Sequence, residues 1–104
     1  YINHLIEVSG LKNNIIYKRM NIDKRTLYRL KNSLKYNPSK DMLIKLGLAL
    51  NISESDMDYL LSLKGYTLSN TNYFDLIIRF CFINHIYDIY KVNDLLMEYH
   101  CKLL

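Results

Sequence analysis

Apolar residues recur three and four positions apart along most of this chain, in short runs closed by glycine, asparagine, proline or serine. Each run with its punctuation predicts a short helix. Ile2, Leu5 and Ile6 give the apolar face of a first helix, which Gly10 ends as a left-handed terminal glycine does. Ile15, Ile16 and Met20 give a second, stopped by Asn21, the next most tolerant residue at positive φ. Asp23 is placed to cap a third helix with Leu27, Leu30 and Leu34 on one face. In "YNPS", Pro38 disfavours helix at Asn37 and Ser39 caps the next helix. Met42, Leu43, Leu46, Ala49 and Leu50 define that fourth, strongly apolar helix, which runs up to Asn51.

"SESD", Ser53 to Asp56, resembles a capping box with Asp in place of Glu or Gln. It opens a fifth helix through Met57, Leu60 and Leu61 to Gly65. "YTLSNTN" is polar and turn-like. Phe74, Ile77, Ile78, Cys81 and Phe82 mark a sixth helix ending near Asn84 and His85. Ile89 to Tyr99 form a seventh, with Val92, Leu95, Leu96 and Tyr99 expected inward. No alternating strand pattern, solenoid repeat or low-complexity segment interrupts the series. The expectation is an all-α domain.

Charge sharpens the picture. Residues 1–40 carry nine Lys/Arg against Glu7 and Asp23, a balance of +7, whereas residues 41–104 carry five against eight acids, a balance of −3. A chain so polarised offers a basic end to an acidic partner. Half of its 104 residues are hydrophobic, enough for one core without staples. Cys81 and Cys101 both sit in helical apolar patterns and read as reduced packing residues, which points to a reducing, cytoplasmic setting. No apolar run reaches the length of a membrane span and no signal-peptide pattern opens the chain. The chain begins at Tyr1 and not at Met, and so reads as a fragment, trimmed at the start or cut from a longer protein.

Only Asn21, Ile22 and Asp23 separate the second and third helices, the spacing of a helix-turn-helix unit whose second member enters a major groove. Ile16, Met20, Ile22, Leu27 and Leu30 would form its shared core. On these residues the sequence resembles the phage-repressor (Cro-like, XRE-type) helix-turn-helix family over residues 1–64. The resemblance implies a five-helix domain whose third helix reads DNA, with Asp23, Lys24, Arg25, Tyr28, Arg29 and Asn32 facing the duplex. "YNPSKDMLIKLGLALNISESDMDYLLSLKGYTLS" together with "FDLIIRFCFINHIYDIYKVNDLL" is similar to a bacterial group of helix-turn-helix-like proteins in which two further helices come after a "GY.LS" linker. That similarity implies a C-terminal helical extension over residues 65–104, packed on the core as one unit. Two positions depart from the repressor pattern. Such units usually have a small residue four positions before the turn, where this chain has Tyr17, and Asn21 replaces the common glycine. A tyrosine at the crossing either splays the helices, which weakens the fit to a groove, or swings out to water.

With Leu27, Leu30 and Leu34 inward, the third helix leaves Lys24, Arg25, Tyr28, Arg29, Lys31, Asn32 and Lys35 outside, and Lys18 and Arg19 add charge from the second. Arginine bonds guanine bidentately, asparagine does so with adenine, and lysine mainly holds phosphate. These nine residues form the expected nucleic-acid surface, with DNA as the partner. A tyrosine and an asparagine among cations would also suit a single strand. The rival expectation is an adaptor domain, within a larger protein, that keeps the fold and recruits a protein partner.

Catalytic patterns are thin. His4, His85 and His100 are far apart in sequence and share no metal-type spacing with the cysteines. His85 and His100 read as helix C-terminal residues, and Asp88 and Asp94 as charges near the start of the last helix. No phosphate loop or Ser/His/Asp order is present, so the sequence predicts no enzyme, cofactor or metal. In the aromatic C-terminal half, Tyr73, Phe82, Tyr87 and Tyr90 are candidates for a homodimer or protein contact, with the internal core as the favoured reading.

Overall fold

The computed structural model describes residues 1–104 and contains seven α-helices and no strand. They are α1 (Ile2–Ser9), α2 (Asn13–Met20), α3 (Lys24–Asn32), α4 (Lys40–Ala49), α5 (Glu54–Ser62), α6 (Tyr73–Ile83) and α7 (Ile89–Glu98). Local chemistry explains most boundaries. Gly10, at φ 68°, closes α1, and Asn21, at φ 56°, closes α2. The carboxylate of Asp23 accepts the Thr26 N–H at 2.8 Å, and the hydroxyls of Ser39 and Ser53 accept the N–H groups of Met42 and Asp56, both at 3.1 Å. Each therefore satisfies a donor that the first helical turn leaves unpaired. Only this half of the box at Ser53 forms, because the Asp56 side chain is one methylene shorter than a glutamate. His85 and His100 come just after α6 and α7 at φ 56° and 59°, so their place at helix ends comes with left-handed backbone.

Helix α4 is the centre of the molecule. Leu43, Ile44, Leu46, Gly47, Leu48 and Ala49 are all buried, so this helix is covered on nearly every side. α2 packs across it, α5 lies against it, α6 lies on α5, and α7 on α6. Gly47 sits where these layers meet. A β-carbon there would stand 2.6 Å from Met57 Sδ and 3.2 Å from Phe82 Cζ, so the missing side chain lets α5 and α6 close on α4.

The last two helices are tied to the rest by side chains. Lys40, the first residue of α4, donates to both carboxylate oxygens of Asp75 in the first turn of α6. Arg79 donates to Glu54 at 2.9 Å, to Asp58 at 3.1 Å and to the Leu68 carbonyl at 3.2 Å. Tyr87 donates its hydroxyl proton to the Ile52 carbonyl, and Lys102 reaches Asp41. The radius of gyration is 13.0 Å, the value for a chain of this length packed as one body. Cys81 is buried under this seam as a free thiol, and burial pushes it up to about 11. Cys101 is free and half-buried.

Five residues expected inward are exposed instead. Leu34 is fully exposed, because α3 stops at Asn32 and Ser33 turns the chain into an extended conformation before it. Ile15 is exposed, since Ile16 and Met20 are the α2 residues that point at α4 and Ile15 lies a third of a turn away. Tyr99 lies just beyond α7 and turns outward beside Tyr73. The four C-terminal aromatics divide, with Phe82 buried and Tyr87 packed against the core while Tyr73 and Tyr90 face solvent.

Candidate nucleic-acid interface

Helix α3 lies at the edge of the molecule, packed chiefly on α2. Leu27 and Leu30 anchor it, and its amphipathic pattern leaves the opposite face uncovered. Arg25, Tyr28, Arg29 and Asn32 occupy that outer face, and Tyr28 is 67 % exposed. Arg29 lies over the Tyr36 ring at 4.9 Å, a cation–π contact that ties the guanidinium to the chain leaving α3. Asn32 donates its amide to the Tyr28 carbonyl at 3.0 Å, so reading a base edge would require it to exchange that bond. At the head of the helix, hydrogen bonds from Thr26 hold the Asp23 carboxyl below its ordinary value, helped by the nearby charges of Arg25 and Arg29. Asp23 therefore serves as the cap of α3, and its negative charge sits beside the two arginines.

Lys24 and Lys31 flank this face on the side toward α2. There a cleft of about 280 Å³ opens between the helices, lined by Asn13, Asn14 and Tyr17 from α2 and Lys24, Leu27, Tyr28, Lys31 and Asn32 from α3. Lys31 bridges its edge by donating to Asn13 Oδ1 at 3.1 Å. The ring of Tyr17 is half-buried against the core and forms part of the cleft wall. It is neither wedged into the interior nor swung free, which corrects the two-way expectation for this position.

The remaining expected residues go elsewhere. Lys18 and Arg19 line a separate cleft of about 350 Å³, formed with Leu48, Asn51 and residues 87–90 at the start of α7. Arg19 donates to the Ala49 carbonyl at 2.9 Å, where it satisfies the last turn of α4. Lys35 lies beyond the end of α3, exposed. Of the nine expected residues, the structure gathers Lys24, Arg25, Tyr28, Arg29, Lys31 and Asn32 around one face and sends Lys18 and Arg19 to another flank. Lys18, Lys24, Arg25 and Lys35 form no salt bridge or hydrogen bond through their side chains.

Asn13, Asn14, Tyr17 and Tyr36 join the site without having been expected in it. Tyr36 could have been found, since an aromatic seven positions after an arginine can return to it across a helix end. The two asparagines open α2 and carried no periodic signal. No helix is long and apolar enough to cross a membrane. Comparison with known proteins finds no matching family model, no similar curated protein and no similar solved structure.

Proposed function

We propose that this chain is a non-enzymatic nucleic-acid-binding domain whose ligand is double-stranded DNA and whose role is transcriptional control. In this reading residues 1–64, α1 to α5, are a repressor-like helix-turn-helix core, and residues 65–104 are a two-helix extension packed on it. The observation that carries the reading is the uncovered outer face of α3, where Arg25, Tyr28, Arg29 and Asn32 stand together at the margin of the molecule. Arginine and asparagine are the side chains that read base edges, and Lys24 and Lys35 at the two ends suit phosphate contacts. Lys40, counted with the basic end by sequence, is paired with Asp75 and takes no part.

The test is a gel-shift series on random duplex DNA at two salt concentrations. On random duplex, where Arg25 and Arg29 meet no preferred base edge and rest on phosphate beside Lys24 and Lys35, log affinity should fall against log salt with a slope of roughly −3 to −4. No binding at low salt, or a flat salt response, overturns the reading. In that event the adaptor reading takes its place.

A further inference from the structure

Helix α6 exposes a continuous apolar stripe. Tyr73 is 67 % exposed, Leu76 41 %, Phe80 50 % and Ile83 54 %, at successive spacings of three, four and three residues. That is the seam by which one helix packs along another. Leu95 and Tyr99 rise beside it from the α7 side, and with Tyr73, Leu76, Ile77 and Phe80 they line a groove of about 300 Å³ without a charged residue. The charged residues of α6 are turned away, Asp75 to Lys40 and Arg79 to Glu54 and Asp58. On a surface otherwise rich in Lys, Arg, Asp and Glu, this strip has no charge of its own.

We propose that this face docks a second copy of the same chain, the two α6 helices crossing antiparallel about a twofold axis at the level of Ile78. Three observations favour a copy over an unlike partner. The strip is uncharged, so two identical strips meet without opposing like charges. Its spacing is palindromic, so an antiparallel pair sets Tyr73 against Ile83 and Leu76 against Phe80. Every aromatic then meets an aliphatic, and bulk alternates along the seam as interdigitated packing requires. A parallel pair would stack Tyr73 on Tyr73 and Phe80 on Phe80. The exposed parts of Tyr73, Leu76, Phe80, Ile83 and Tyr99 amount to roughly 500–600 Å², most of the ~800 Å² that each partner gives to a standard interface. A closed twofold contact uses the same patch on both copies, which this patch satisfies by itself. The inference rests on the C-terminal helices alone and does not depend on what α3 binds.

The experiment is mass measurement by light scattering over a concentration series. The chain of 12.4 kDa should approach twice that mass as concentration rises. Phe80→Glu and Leu76→Lys should each return it to monomer that still unfolds cooperatively, at the temperature the parent shows when diluted to monomer, because about half of each side chain is exposed in the single chain. Mixing these two variants should restore a one-to-one dimer, since antiparallel packing brings the introduced acid and base together. Mixing Phe80→Glu with Phe80→Lys should not, as those positions meet only in a parallel pair. A chain that stays monomeric throughout, a dimer indifferent to Phe80→Glu, or rescue by the second mixture instead of the first would each overturn the proposal. Capture of a different protein by a monomeric chain on this face would likewise overturn it.

Discussion

The ammonium of Lys40 stands 2.8 Å from Oδ1 of Asp75, joining the first residue of α4 to the first turn of α6 across 35 residues of sequence. Asp75 is the one buried charged residue, and it also accepts the Ser69 N–H at 2.7 Å. Burial pushes its carboxyl upward, but the hydrogen bonds from Lys40 and Ser69 outweigh this and leave it below the ordinary 3.8. The unfolded chain thus takes up that proton more readily than the folded one. The pair's stabilisation is complete above the ordinary carboxylate value and is lost as pH falls through the lowered one. Asp75→Asn should cost about 2 kcal/mol at neutral pH, less than for a fully buried pair because Lys40 can turn to water. In urea melts the gap between variant and parent should close below the carboxylate range. A gap that stays constant with pH would detach the effect from ionisation.

Gly47→Ala should destabilise the chain by about 1–3 kcal/mol, although alanine is the better helix former by about 1 kcal/mol. The added methyl would meet Met57 Sδ at 2.6 Å in the layer between α4 and α5. The double variant Gly47→Ala/Met57→Ala should therefore lose less than the two single losses together. Strict additivity in denaturant melts would show that the layer yields elsewhere.

Much of this architecture was legible in the sequence, for reasons that differ by residue. Gly10, Asn21, Ser39, Ser53 and Gly65 act on their own backbone neighbours, so helix ends could be read locally. Leu34 misled because its spacing extends the face of Leu27 and Leu30, while nothing local announces that Ser33 has left the helix. Arg19 counted as one more surface cation, yet its role depends on where α4 ends, 30 residues later. The same holds for Arg79, whose partners Glu54 and Asp58 lie on another helix. Contacts between distant helices left no periodic trace, and they decide which cations remain available to a ligand.

Tyr17→Ala should cost about 1–2 kcal/mol, between the values for an exposed ring and a buried one, because the ring is half-buried at the α2–α3 cleft. Tyr17→Phe should be close to neutral, since the hydroxyl makes no hydrogen bond within the protein. Chemical denaturation of both variants checks this. If Tyr17→Ala also abolished binding of duplex DNA while the chain stayed folded, the cleft would belong to the interface itself.

Within the proposed interface, Arg25→Ala should cost about 1–3 kcal/mol on a preferred site and relax preference there, whereas Lys35→Ala should weaken all duplexes alike. Arg19→Ala should act differently from both, lowering stability by about 1 kcal/mol through the lost α4 cap while leaving the salt slope unchanged. Competition binding on a selected sequence and on random duplex separates the three. Equal, sequence-independent losses from Arg25→Ala and Lys35→Ala would leave phosphate contact as the whole of the interaction.

The sulfur of Cys81 turns the packing of α6 against the other helices into something that can be timed. With its thiol raised to about 11 and enclosed, it is almost entirely in the unreactive protonated form at neutral pH and out of a reagent's reach. Only molecules whose α6 has momentarily lifted can be alkylated there. Cys101, only partly buried near the C-terminus, needs no lifting of α6 to be modified and serves as the internal reference. The ratio of the two labelling rates therefore counts how often α6 parts from the helices beneath it. Asp75→Asn, which removes a tie between α6 and α4, should raise the Cys81 rate by a factor of about 30, the equivalent of the 2 kcal/mol it costs, and leave that of Cys101 where it was.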